Sequence, residues 1–264
     1  MDRKKLDHFK LWFNDYVSGY LTGNPDNDSI ILLKKEHTLR VCRNILMLGT
    51  ALHLPEQDLI FAETMALFHD IGRFKQYDLY GTFNDLQSVN HARLGLNQLG
   101  VNRVLSVCST DTKRLISRSI AYHNAAALPE YEDKNTLFFM RLLRDADKLD
   151  IWKVVTDYYN NNKGKKKNTT IELGLPDDPV CSKKVIIPLH DHRIVKIEDI
   201  KTLNDFKLLQ ISWVFDLNFA PSFKAVQKRN YLELIQATLP ESKEIHEAVQ
   251  EAQDYVRRMA LVSD

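Results

Sequence analysis

Glycine and proline are scarce in this chain, at 9 and 8 of 264 residues. Long segments run without either, which favours helix. Apolar spacing agrees. Leu6, Phe9, Trp12, Phe13, Tyr16, Val17 and Tyr20 recur at helical intervals across residues 2–22. NPDNDS (24–29) then reads as a turn, with Ser29 able to cap the next helix. Over residues 30–53, Leu33, His37, Val41, Leu48 and Leu52 fall near one face. Pro55 suits the first turn of a further helix that carries Leu59, Ala62, Ala66, His69 and Asp70, and Gly72 is expected to end it.

Residues 74–87 show no sustained period and read as a loop. Ser88 is the expected cap of a helix running to about Leu99, and further helices are expected near 111–124 and 135–160. Between 161 and 184 the composition turns polar and proline-interrupted, as in an exposed loop or insertion. Its basic run, Lys163 to Lys167, reads as a solvated cluster, although it could touch phosphate or an anionic surface. Residues 185–195, VIIPLHDHRIV, read as a short extended segment or strand pair, and 199–258 as three more helices. The expectation is an all-α chain. Residues 1–160 form its core, and 161–264 form a polar insertion and a C-terminal helical extension packed on that core as one compact domain.

Composition narrows the partners. Lys+Arg is 36 against Asp+Glu 35, a net charge of +1, without the basic excess of a broad nucleic-acid footprint. No apolar run approaches the ~18 residues of a membrane span, and MDRKKLDHFKLWF lacks the apolar core of a signal peptide. Cys42, Cys108 and Cys181 show no CxxC spacing, which argues against a disulfide framework or thiolate zinc site and for a reducing cytoplasm. The C-terminal helices could form a homodimer face.

His37, His69, Asp70 and Asp147 can be read as one metal-ligand set. Imidazole and carboxylate suit Mn, Fe, Co, Ni or Zn. A metal held by few protein ligands keeps positions for water and substrate, lowers the pKa of that water and polarises a phosphoryl oxygen. Adjacent residues on a helix point about 100° apart, so near a helix end His69 and Asp70 can meet one metal, or Asp70 can bridge two. His37 and Asp147 must arrive from other helices. His91 and His123 extend the set to the size of a two-metal site. A lone His-Asp pair is weak evidence, because nine histidines supply such pairs by chance. His190-Asp191-His192 is a second one, read as loop polarity, and His53 and His246 read as surface or cap residues.

The order His37, His69-Asp70, Asp147 resembles the HD superfamily of metal-dependent phosphohydrolases. ALFHDIGRF (66–74) is similar to its HDIGK/R core, NHARLGLNQL (90–99) to the His-x-x-x-Gly helix of its two-metal branch, and RDADKLD (144–150) to the helix supplying the last ligand. The resemblance spans roughly residues 30–160, and HDIGRFKQYDLYGTFND…SVNHA also resembles a mostly uncharacterised bacterial subgroup. It implies an all-α HD-domain helical bundle with one or two divalent ions (Mn, Fe, Co, Ni, Mg or Zn). It also implies His37, His69, Asp70 and Asp147 as ligands of the first ion, with His91 and His123 as ligands of a second. By the same match Asp145 and Asp150 fall to supporting or capping roles. Two departures matter. Arg73 stands where mononuclear nucleotidases of the superfamily often carry Glu. Tyr122 precedes His123, and no GYP follows, so cyclic-di-GMP cleavage is not implied.

Beside the ligands, Asp70, Arg73 and Lys148 are the candidate catalytic residues, Arg73 and Lys148 as phosphate binders. Lys75, Tyr77 and Asn84 are candidate specificity groups on the intervening loop, while Trp213, Phe215 and Phe219 read as core. The expected reaction is hydrolysis of a small-molecule, nucleotide-like phosphate ester by metal-activated water, away from membranes and nucleic acid. Two alternatives are a di-iron oxygenase of the same superfamily, which uses the same ligand count, and a non-catalytic nucleotide-binding signalling domain.

Overall fold

The computed structural model describes residues 1–161 and 169–262, with side chains from residue 171 in the second stretch. The basic run Lys163 to Lys167 lies outside the described residues. Among them there is no strand, and the protein is all-α. Its contacts divide into two units, Met1–Asp147 and Lys148–Asp264. The division falls within one long helix, whereas the change in composition falls after residue 160.

The first unit is built from α1 (Arg3–Ser18), α2 (Pro25–Ala51), α3 (Glu56–Phe68), α4 (Gly72–Tyr80), α5 (His91–Val101), α6 (Thr110–Tyr122) and the first half of α7 (Lys134–Asn161). Asp2 caps α1 by accepting from the Lys5 amide, and Leu6, Phe9, Phe13 and Val17 form its buried stripe. Phe9 and Trp12 meet the Phe68 ring edge-on, and Phe13 meets Phe74, which seats α1 on α3 and α4. In α3 every residue from Ile60 to Phe68 is buried. A helix buried on all sides lies in the centre of its unit, so its C-terminal end delivers His69 and Asp70 to the interior. Asn44 on α2 donates to the Ala146 carbonyl of α7 at 3.1 Å, tying together the two helices that carry His37 and Asp147.

Several boundaries differ from sequence expectation. Asn24, not Ser29, caps α2, by accepting from Asp26 N and Asn27 N. Gly72 does not end α3 but begins α4. The stretch expected to be a loop is helical as far as Tyr80, closed by Gly81 at φ 63 with its amide on Tyr77 O. The periodicity was hidden because α4 turns polar groups inward: Gln76 is fully buried. Ser88 caps nothing. Asn90 caps α5, while the Ser88 hydroxyl donates to Asn84 O.

In the second unit, α7 continues to Asn161 and is followed by α8 (Thr169–Glu172), α9 (Lys183–His190), α10 (Leu203–Ser212), α11 (Ala220–Lys228), α12 (Tyr231–Gln236) and α13 (Lys243–Met259). Residues 185–195 contain no strand. Val185, Ile186 and Leu189 share the buried face of α9, and Pro188 sits in its last turn. Four helices, not three, occupy 199–258. Trp152 is fully buried, with its indole N–H on Gln210 O at 2.9 Å. Trp213 and Phe215 are only partly buried, while Phe219 is buried.

Candidate metal centre

Three helix ends converge inside the first unit. His69 is the C-cap of α3, His123 the C-cap of α6, and His91 the first residue of α5. His37 comes from the middle of α2 and Asp147 from α7. His37, His69, Asp70, His91 and His123 are buried, and the Asp147 side chain is 14% exposed.

Each helix-end histidine is aimed by its outer nitrogen. His69 Nδ1 lies 2.7 Å from Ala66 O, and His123 Nδ1 lies 2.7 Å from Ile120 O. Both carbonyls belong to final helical turns, where the chain leaves acceptors unmatched. A carbonyl only accepts, so Nδ1 carries the proton and the Nε2 lone pair of a neutral ring faces inward. His91 reaches the same state through a carboxylate: its Nδ1 lies 2.7 and 2.9 Å from the oxygens of Asp85. Burial, followed by the Arg73 charge, pushes the His91 pKa down to about 3 and keeps that ring neutral.

The inward nitrogens then oppose one another. His91 Nε2 stands 3.0 Å from His123 Nε2, and His37 Nε2 stands 3.3 Å from His69 Nε2. The His91–His123 pair, with both Nδ1 atoms engaged outward, sets two Nε2 lone pairs face to face, which repel unless a cation or a proton lies between them. Asp147 Oδ1 is buried without a hydrogen-bond partner among the described residues, although His37 Nε2 is 3.2 Å away and His69 Nε2 3.6 Å. Inward lone pairs on His69, His91 and His123, beside a buried carboxylate oxygen of Asp147, are a donor set that fits a metal ion.

The Asp70 carboxylate divides the set. Its Oδ2 lies 3.5 Å from His37 Nε2 and 3.9 Å from His69 Nε2, while its Oδ1 lies 3.2 Å from His91 Nε2 and 3.7 Å from His123 Nε2. His37, His69 and Asp70 form one group able to hold an ion, and Asp70, His91 and His123 another. His69, His123 and Asp147 form a third group that overlaps both. Burial alone would raise the Asp70 pKa. Lys34, Arg73 and His69 outweigh it and hold the carboxyl well below its ordinary range, as an anion.

Lys34, one turn before His37 on α2, places its ammonium 3.3 Å from Asp70 Oδ2 and 5.2 Å from the Phe83 ring centroid. It escaped the sequence reading, although the i, i+3 relation to His37 places both on one face. Arg73 is largely committed. Its Nη1 donates to Phe83 O at 2.6 Å, Gln76 Oε1 at 2.8 Å and Asp85 Oδ1 at 2.9 Å, and its Nε lies 3.4 Å from Asp70 Oδ1. Nη2 makes no hydrogen bond among the described residues. Arg144 is buried and donates to the carbonyls of Tyr122, His123 and Ala125, closing the C-terminal end of α6 behind His123.

Lys148 belongs to the second unit and pairs with Asp216 Oδ2 at 2.5 Å. Lys75 and Tyr77 stand on α4 rather than on a loop, Lys75 pairing with Asp78, and Asn84 caps the 3-10 turn Asp85–Gln87. Asp145 and Asp150 are buried. Cys42, Cys108 and Cys181 are free thiols. No helix among the described residues is long and apolar enough to cross a membrane.

The family model of the HD domain matches residues 35–152. Residues 35–152 form an HD domain. All six candidate ligands lie inside its limits, from His37 on α2 to Asp147 on α7. No curated protein and no solved structure matches the chain. The HD domain carries a His/Asp cluster that could hold a divalent metal, and its match ends inside α7.

Proposed function

We propose that this HD domain hydrolyses a small, nucleotide-like phosphate ester with two divalent ions held by His37, His69, Asp70, Asp147, His91 and His123. The observation that carries the reading is the pair of opposed Nε2 contacts on either side of the Asp70 carboxylate. When bound, such ions supply Lewis-acid polarisation of the phosphoryl oxygen and a water of lowered pKa. Imidazole and carboxylate donors suit Mn, Fe, Co, Ni or Zn, and an all-oxygen set would suit Mg better.

The chain's own residues supply the remainder. The two oxygens of Asp70 face the two halves of the ligand set. Lys34 and the uncommitted Nη2 of Arg73 stand at its edge as cations for the non-bridging oxygens of a phosphate, where fixed charge favours the transition state. Partly exposed Phe83 and Tyr77, with ring centroids 5.1 Å apart, give an apolar wall beside these cations. That wall supports an ester carrying a ring rather than a bare phosphate. Lys148, engaged by Asp216, has a weaker claim to the substrate than Lys34.

The test is phosphate release from a panel of phosphomonoesters and phosphodiesters, with Mn(II)- or Fe(II)-loaded protein under anaerobic conditions. Release that is abolished by chelator is the expected result. Protein with confirmed metal that releases no phosphate from any ester would overturn the proposal, and turnover that requires dioxygen would favour the di-iron oxygenase reading instead.

A further inference from the structure

Asp85 lies outside the ligand set, in the connection between α4 and α5, and four side chains converge on its carboxylate. His91 Nδ1 lies 2.7 Å from Oδ2 and 2.9 Å from Oδ1. Arg73 Nη1 and Gln76 Nε2 each donate to Oδ1 at 2.9 Å, and Asn124 Nδ2 donates to Oδ2 at 3.2 Å. Gln76 also donates to Ser88 Oγ at 2.8 Å and Val89 O at 3.0 Å, which fixes the connection that carries Asp85. The carboxylate is thus held from α4, from α5 and from the residue after His123.

The helix-end histidines differ in one respect. His69 and His123 are aimed by the backbone carbonyls of Ala66 and Ile120, which no side-chain substitution removes. The aim of His91 rests on the Asp85 side chain. A carboxylate on the outer nitrogen of a ligand histidine fixes its tautomer and ring plane and makes its inner nitrogen a better donor. We infer that Asp85 is a positioning residue that sets the affinity of the subsite formed by His91, His123 and Asp70 Oδ1, leaving the His37/His69/Asp147 subsite unchanged. This inference rests on the two-ion reading above.

The experiment is Mn(II) titration by calorimetry with elemental analysis of the loaded protein, on wild type, Asp85→Ala and Asp85→Asn, and on His123→Ala as a reference for loss of one subsite. Near-UV circular dichroism checks that each variant is folded. Wild type should bind two ions. Asp85→Ala should keep the first affinity and weaken the second about 10–100-fold, approaching the stoichiometry of His123→Ala. Asp85→Asn, whose amide oxygen can still accept from Nδ1, should lose less. Asp85→Ala binding both ions as wild type does, or losing both together, would overturn the inference. Wild type binding one ion or none would overturn the two-ion reading itself, a result separable from either.

Discussion

His69 and His123 each close a helix with one ring nitrogen and turn the other toward a carboxylate that neither owns. Asp70 Oδ2 faces the first group and Oδ1 the second, so removing this one side chain costs both groups a ligand. Asp70→Ala should therefore lose both ions in elemental analysis, and phosphate release should fall at least about 100-fold, the scale of losing one preorganised electrostatic group. Retention of one full equivalent would show that Asp70 serves a single ion. Lys34 belongs to the substrate side. Lys34→Gln should leave metal stoichiometry intact and raise KM for the ester about tenfold, roughly the worth of one charge-assisted hydrogen bond. A fall in metal content with unchanged KM would instead place the ammonium in support of the ligands.

Between α4 and α5 the constraint is steric. A Cβ added at Gly72 would lie 2.1 Å from His91 O and 2.5 Å from Gly95 N, both backbone atoms that cannot swing aside. The two helices touch through Gly72 and Gly95, and that contact sets how closely His91 approaches Asp70. Gly72→Ala should cost about 1–3 kcal/mol or more, as overpacking does, read as a shift of the urea midpoint. It should also weaken the second ion, because His91 is displaced with its helix. Unchanged stability would mean that α4 and α5 separate without strain. The same packing explains why α4 was hard to recognise. Arg73 and Gln76 project into the unit rather than into water, so the helix lacks the alternation of apolar and polar faces by which an amphipathic segment is recognised.

For the whole molecule, metal and stability are linked. An ion that binds the folded chain and not the unfolded one stabilises it by about 2.7 kcal/mol at a hundred times its Kd. Mn(II) should therefore raise the melting temperature and chelator should lower it. His69→Ala should abolish most of the shift, and the absence of any shift in wild type would count against a resident metal. The all-α class was legible in the sequence because scarce glycine and proline and the i, i+3, i+4 spacing in α1 and α2 are local signals that survive without knowledge of packing. His37, His69, Asp70 and Asp147 were legible as candidates because their side chains have ligand chemistry wherever they stand. The tertiary structure decided the rest. It made 185–190 a helix, because burial of Val185, Ile186 and Leu189 outweighed their extended appearance. It set two pairs of Nε2 atoms against each other and gave Asp70 one oxygen for each pair. It also brought Lys34 to Asp70 and Asp85 to His91 and Arg73. Local periodicity follows from the geometry of a single helix, whereas these contacts join separate elements through loops whose length carries no period, so only their packing could decide them.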